Sequence, residues 1–204
     1  MKMLKPFLTL NICLAALLGD YIVFNSSYSK SQIFRAFTDS AVHATLGCLS
    51  SILFLSQELS FNNTTCLFNI CFCTMLSSLI DIDHIFATRS IYWKDITNNR
   101  TRGILHCTTF LFTITSLLLI YSYIYKKINI YMLTWMIILA YTSHHVRDAN
   151  RRGLWMYPYG HTPPLSKYVY IFLVASLPNI FSVINVYIKP ELYKHTMINT
   201  NMIV

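Results

Sequence analysis

Charge is scarce in this sequence. Asp, Glu, Lys and Arg make up 12% of it, where a soluble globular domain carries roughly 25%. The shortage falls hardest on acids, 8 against 16 bases. It excludes a soluble domain with an ordinary polar shell. Cysteine pairs at metal or redox spacing are missing too. Cys13, Cys48, Cys66, Cys71, Cys73 and Cys107 include no Cys-x-x-Cys. Cys71 and Cys73 lie two apart in an apolar run, so on a helix they point in different directions. They read as small polarisable packing residues, not as a disulfide framework or a thiolate metal site. No basic run with interleaved aromatics is present, which argues against a nucleic-acid partner despite a net charge of +8. No P-loop, dinucleotide fingerprint or Ser-His-Asp pattern occurs, so the enzyme classes those motifs mark have no support. Internal repeats, linkers and low-complexity segments are absent as well.

What remains is apolar. Of the 204 residues, 54% are hydrophobic, and the mean hydropathy is +0.46. A helix needs about 20 apolar residues to cross a bilayer. The pattern therefore predicts an all-α, multi-pass transmembrane helix bundle of about six spans, a single integral-membrane domain surrounded by membrane lipids. The spans fall near 7–24, 39–56, 66–86, 103–125, 130–146 and 168–188. Lys2 and Lys5 before the first run would suit a signal peptide over Met1–Gly19. The run continues through Asp20 to Phe24 without a small-x-small cleavage site, which favours a retained span. Trp155, Tyr157 and Tyr159 suit a membrane interface, Pro163-Pro164 stops any helix there, and Pro178 is a candidate kink in the last span.

The polar residues are not scattered. With alternating spans, one face collects Asp20, Asp39, His43, Asp81, Asp83, His84, Arg102, His106, His144, His145 and Asp148. That face holds five of the 7 histidines and five of the 8 acids. Helix ends are polar in any case, which accounts for Asp39 as a cap, Arg102 as an interfacial anchor and Asp20 as a helix-end acid. It does not account for histidines avoiding the other ends. A buried carboxylate needs a partner or an ion.

Spacing points to metal chemistry. His144 and Asp148 stand at i, i+4, and Asp81 and His84 at i, i+3, so each pair can converge on one ion. Asp39 and His43 share a helix face four residues apart, with Asp39 able to cap the helix, orient His43, or both. Asp83 points away from Asp81 on an ideal helix. It either binds a second ion, supports a ligand, or is freed by the helix ending. The candidate ligands are His43, Asp81, Asp83, His84, His106, His144 and Asp148, enough for one supported ion or two. Imidazole with carboxylate suits zinc, manganese or iron better than calcium. Asp83 and Arg102 are the candidates for catalytic roles, and Arg102, Arg151 or Arg152 could neutralise a phosphate. Arg152 is also placed for a helix salt bridge with Asp148. His145 reads as a packing residue or hydrogen-bond donor, and His161 and His195 as solvated.

Ten basic residues lie in the loops on the motif side against six on the other. The positive-inside rule thus puts the site on the cytosolic side, with the Asn62 and Asn63 sequons on the lumenal side. The basic N-terminus argues the other way.

The blocks Asp39-Ser-Ala-Val-His43, Ile80-Asp-Ile-Asp-His84, Leu105-His-Cys107 and Thr142-Ser-His-His-Val-Arg-Asp148, with Gly153-Leu-Trp155, resemble the animal transmembrane protein 267 family over nearly the whole chain. More distantly, His43 to Gly47, Asp81 to His84, Arg102 to His106 and His144 to Asp148 are similar in order to motifs of bacterial membrane-bound metal-dependent hydrolases. Cys107 replaces the usual Ser, and Trp155 and Pro158 are spaced more widely than the usual Trp-Pro pair. The distant resemblance implies metal-assisted hydrolysis of a phosphorylated or lipid substrate at the membrane. The alternative is a non-enzymatic membrane protein whose cluster is a structural metal site or an ion or proton pathway.

Overall fold

A computed structural model describes residues 3–56, 62–89 and 102–200, with side chains as far as 189. Of the charges weighed between the two faces, Lys2, Glu58, Lys94 and Arg100 lie outside the described residues, and so do the side chains of Lys194 and His195. Helix α1 (Leu4–Asp20) runs on through a π-helical turn, Tyr21–Asn25, and a 3-10 turn, Ser27–Lys30. Helix α2 covers Gln32–Leu55 and α3 Asn63–Leu79. A 3-10 turn, Ile80–Ile82, then leads into the short α4, Asp83–Thr88. A second such turn, Ile104–His106, precedes α5, Thr108–Ile124. Helix α6 spans Ile128–Arg152. An antiparallel hairpin follows, β1 (Trp155–Met156) with β2 (Gly160–His161), and α7 covers Lys167–Thr200.

The caps show why two helices start where they do. Ser31 Oγ accepts from Phe34 N at 3.3 Å, and Asn62 Oδ1 accepts from Thr65 N at 2.7 Å. Each satisfies one of the backbone donors a helix start leaves open. Asp39 is therefore not the cap of α2; it sits about two turns inside the helix, and its carboxylate is available for other work.

Among the described residues, four segments are long and apolar enough to cross a membrane: Leu4–Asn25, Gln32–Leu55, Asn63–Thr88 and Lys167–Lys189, with Thr108–Ile124 a shorter apolar helix. Large apolar side chains such as Leu10, Leu17, Phe112, Ile120, Phe172 and Val183 are exposed on the outside of α1, α5 and α7. In water such a surface would drive association; against lipid tails it is the expected exterior of an all-α membrane bundle.

Helix α6 is the opposite case. At about 1.5 Å per residue it is long enough to cross, but it carries His144, His145, Arg147, Asp148, Arg151 and Arg152. It is tolerated because α2, α3, α5 and α7 all pack against it. His144, His145 and Arg147 are buried in protein and Asp148 nearly so, while Arg151 and Arg152, at the helix end, are exposed. Trp135, Met136 and Leu139 of α6 join Phe54 of α2 and Cys73 of α3 in one core. Leu46 and Leu53 of α2 join Ile12 of α1 and Tyr170 and Val174 of α7 in another. Between α2 and α3 the seam is lined by small residues. A Cβ at Gly47 would lie 2.6 Å from Ser77 Cβ, so the backbones can approach only because that position is glycine. Ser77 Oγ donates to the His43 carbonyl at 2.9 Å, and Ser40 and Ser78 hydroxyls meet at 2.6 Å. Those bonds hold α2, which carries Asp39 and His43, to α3, whose end leads into Asp81, Asp83 and His84.

Candidate functional site

The end of α3 sets the geometry. The chain tightens there from α to 3-10, and in a 3-10 turn residues three apart eclipse one another. Asp81 and His84 therefore share a face, with His84 Nε2 3.7 Å from Asp81 Oδ1. Asp83 faces the other way, into the protein, and is 2% exposed. Its carboxylate accepts from the His106 backbone N–H at 3.2 Å and from His106 Nδ1 at 3.0 and 3.1 Å. Gly103 makes room for it, since a Cβ there would stand 2.5 Å from the Asp83 carboxyl carbon.

Helix α6 brings in the other half. His144 is fully buried, and its Nδ1 donates to the Ser77 carbonyl at 2.9 Å. Both His106 and His144 thus spend their Nδ1–H on a fixed acceptor, which sets the tautomer and turns each Nε2 lone pair toward the same space. The two Nε2 atoms are 3.3 Å apart. Asp81 Oδ1 lies 3.3 Å from His106 Nε2 and 3.4 Å from His144 Nε2. Asp148 Oδ2 lies 3.5 Å and 3.7 Å from the same two nitrogens.

Four lone-pair donors facing one another repel unless a cation stands between them. A tetrahedron of ligands about 2.0–2.2 Å from an ion has edges of roughly 3.3–3.6 Å. Five of the six edges of the Asp81–His106–His144–Asp148 set run from 3.3 to 3.7 Å, close to that spacing, and its four atoms lie within 4.8 Å of one another. These residues fit a divalent ion. In its absence a proton on His106 serves instead: burial lowers the basicity of this imidazole, but the Asp148, Asp81 and Asp83 carboxylates outweigh it and push the pKa up to about 11.

The other expected ligands stand around this set. Asp83, His84 and His106 form a second group of possible ligands, also within 4.8 Å. His43 stacks on His144 with ring centroids 3.8 Å apart, but its Nε2 accepts from Arg147 at 2.9 Å and lies 3.5 Å from Asp148 Oδ1. It supports the four and does not join them. His145 bonds the Leu105 carbonyl at 2.9 Å and Thr108 at 3.3 Å, locking the start of α5 to α6. His161 is exposed and stacks on Trp155 across the hairpin at 6.2 Å.

Above the four donors is a pocket of about 80 Å³, lined by Asp39, Asp81, His84, Arg102, His106, Asp148, Arg151 and Arg152. Asp83 is not among its lining residues. The Asp148 salt bridge on this helix is with Arg151, at 2.8 Å, not with Arg152 four residues on. Arg151 also reaches Asp39 at 3.1 Å. Arg102 is anchored by a 2.8 Å bond to the Gly153 carbonyl. Burial holds its guanidinium below the ordinary value; Asp148 pulls the other way, and Arg152 and Arg151 add to the fall. Such crowding of cations is relieved by an anion.

The residue that sequence reasoning undervalued is Arg147. It counted only as a loop charge, yet it is 2% exposed and pairs with Asp39 at 2.6 Å and Asp20 at 3.3 Å, besides His43. Tyr170 of α7 donates a hydroxyl to Asp20. Asp20 is thus part of a buried network tying α1, α2, α6 and α7 together beneath the pocket, rather than a simple helix-end acid. The available signal was an arginine set between His144 and Asp148 on one helix.

Curated relatives of the chain share one name. It is 31% identical over 181 residues to transmembrane protein 267 of Xenopus laevis, covering 88% of this chain and 82% of that protein. To the Bos taurus protein of the same name it is 34% identical over 151 residues, covering 72% and 67%. To that of Danio rerio it is 34% identical over 153 residues, covering 74% and 66%. No family model matches the chain, and no solved structure does.

Proposed function

The chain belongs to the transmembrane protein 267 family, and we propose that this member is a membrane-embedded, metal-dependent hydrolase of a phosphoester. One observation carries the reading: the lone pairs of His106, His144, Asp81 and Asp148 converge at the floor of a pocket whose walls hold Arg102, Arg151 and Arg152. Zinc suits the spacing best, with manganese or iron the other candidates. Asp81 and Asp148 are 31% and 16% exposed toward the pocket, whereas a purely structural ion is closed in by its ligands.

A divalent ion in such a site supplies Lewis acidity and makes water a better nucleophile. The chain supplies the rest. Asp83 and the Ser77 carbonyl fix the two imidazoles. Arg102, Arg151 and Arg152 bind and orient the phosphoryl oxygens. His84, at the pocket wall and 3.7 Å from Asp81, takes up or returns the proton that moves between water and leaving group. Asp83 acts through His106, as a positioning residue, and Arg102 touches substrate. The excess of basic residues toward the motif side supports a cytosolic site face, with Arg35, Arg147, Arg151 and Arg152 standing in helices rather than loops.

Elemental analysis of the detergent-purified protein tests the reading. About one equivalent of zinc, manganese or iron is expected, lost in His144→Ala and Asp148→Asn variants that still elute as folded monodisperse protein. Absence of metal from the well-folded wild type would remove the hydrolase reading and leave the cluster as an ion or proton pathway. Metal bound without turnover on any phosphoester would make it a structural site.

A further inference from the structure

We infer that the substrate is a phosphate monoester of an apolar, membrane-borne alcohol, seated with its phosphate in the pocket and its tail in the lipid; this rests on the hydrolase reading above. Size is the first argument. A pocket of about 80 Å³ is far smaller than the roughly 300–1,000 Å³ that encloses a drug-sized ligand. It takes a phosphate and leaves the remainder of the molecule outside.

Charge is the second. Three guanidiniums, from Arg102, Arg151 and Arg152, line the cavity beside three carboxylates. Arg151 is paired with Asp39 and Asp148, and an ion held by Asp81 and Asp148 would leave the arginines the net charge facing a phosphate. A terminal phosphate presents three free oxygens and close to two negative charges, which arginine forks match. A phosphodiester offers two free oxygens and one charge, and it must fit a substituent on each side.

The rim is the third. Ile82, Phe86 and Ile104 are 44%, 74% and 60% exposed. They sit on the turns that present the site: Ile82 between Asp81 and Asp83, Phe86 two residues after His84, Ile104 two before His106. These turns pack on one another, through Asp83 and His106, where α3 ends and α5 begins, and the three apolar side chains stand beside the pocket rather than in its lining. A soluble substrate gains nothing from exposed apolar side chains on these turns, whereas an acyl or isoprenyl tail leaving the pocket gains apolar contact there. In the reaction one water is consumed. Its oxygen forms the new P–O bond, the P–O bond to the lipid oxygen breaks, and the proton released by water ends on that oxygen. The products are inorganic phosphate and a free lipid alcohol.

The test uses the full chain in non-ionic detergent micelles, metal-loaded as purified, with dioleoyl phosphatidate, dioleoyl phosphatidylcholine and glycerol 3-phosphate as probes. Phosphatidate is expected to raise the melting temperature by several degrees over phosphatidylcholine, and Arg151→Gln/Arg152→Gln to abolish that shift. Phosphate release is expected to show kcat/KM at least tenfold higher for phosphatidate than for glycerol 3-phosphate. Phe86→Ser/Ile104→Ser, at exposed positions that leave the core intact, is expected to raise KM for phosphatidate several-fold. Equal or faster release from glycerol 3-phosphate, or an unmoved KM in the rim variant, overturns the lipid assignment and leaves the hydrolase reading standing. Preference for phosphatidylcholine overturns the monoester. No turnover of any phosphoester by metal-loaded protein sinks the hydrolase reading and this inference with it.

Discussion

Replacing Asp83 with Asn is the sharpest probe of how the site is built. Asn has nearly the same volume, so it fits where Gly103 leaves no slack. It keeps one carbonyl oxygen for the His106 Nδ1–H but replaces the other oxygen with an NH2 group. That group faces the His106 backbone N–H, which now loses the acceptor it holds at 3.2 Å. It also removes the negative charge that makes His106 a stronger donor to a metal. Loss of a partner of this kind typically weakens metal affinity 10–100-fold, about 1.4–2.7 kcal/mol. The assay is a zinc competition titration against a chromophoric chelator, with wild type and Asp83→Asn in the same detergent. Because Asp83 touches no substrate, kcat at saturating zinc should fall less than affinity does. An unchanged dissociation constant would refute the claim that Asp83 orients a ligand. A complete loss of turnover at saturating zinc would make Asp83 a direct participant in the chemistry.

The remaining predictions concern the network, the seam and the proton. Arg147→Ala leaves half-buried Asp20 without its cation and Asp39 with Arg151 alone, and breaking a fully buried pair of this kind costs about 3–5 kcal/mol, an upper bound here. A melting curve in detergent should fall by many degrees, and Arg147→Lys should restore only part of the loss, since a point charge cannot meet Asp20, Asp39 and His43 together; an unmoved melting temperature in Arg147→Ala would contradict the network. Gly47→Val should separate α2 from α3 and, through the Ser77 carbonyl that holds His144, lower zinc affinity as well as stability; a drop in stability with unchanged affinity would uncouple the seam from the site. Acidification should weaken zinc binding. His106 must shed the proton its three carboxylates hold, so below about pH 11 each unit of falling pH costs about tenfold in affinity while one proton leaves per ion bound. A pH-independent dissociation constant between pH 6 and 8 would contradict it.

The class of the fold was legible because it rests on composition and run length, which tertiary context seldom overrides. The convergence of the polar residues was legible for a similar reason: helices that alternate direction must bring successive ends to one face, and His106, His144, Asp81 and Asp148 lay at such ends. The sequence misled where it was read as though polarity marks a helix boundary. Asn25–Lys30 is polar and Arg35 follows, so the sequence reads span two as starting at Asp39, with that carboxylate a cap, a support for His43, or both. His144–Arg152 is polar, so span five was ended at Val146. Helix α6 runs on because His144, His145, Arg147 and Ala149 are buried against neighbouring helices, and α2 starts early because the Ser31 hydroxyl caps it there, its first turns largely exposed. The continuation of α6 hid Arg147. Seen as a loop charge, it informs only topology; seen as the next-to-last turn of a central helix, it must be buried, and a buried guanidinium demands the carboxylates that Asp20 and Asp39 provide. The orientation of Asp83 was hidden for a local reason. An ideal helix gives it no defined partner, and only the tightening of the chain at Ile80–Ile82 aligns Asp81 with His84 and turns Asp83 inward to His106. A central helix is the one place in a membrane bundle where charge can be concentrated without facing lipid. In this chain the charged turns of α6 are also the turns that build the pocket, so the most buried helix and the most chemically loaded one are the same.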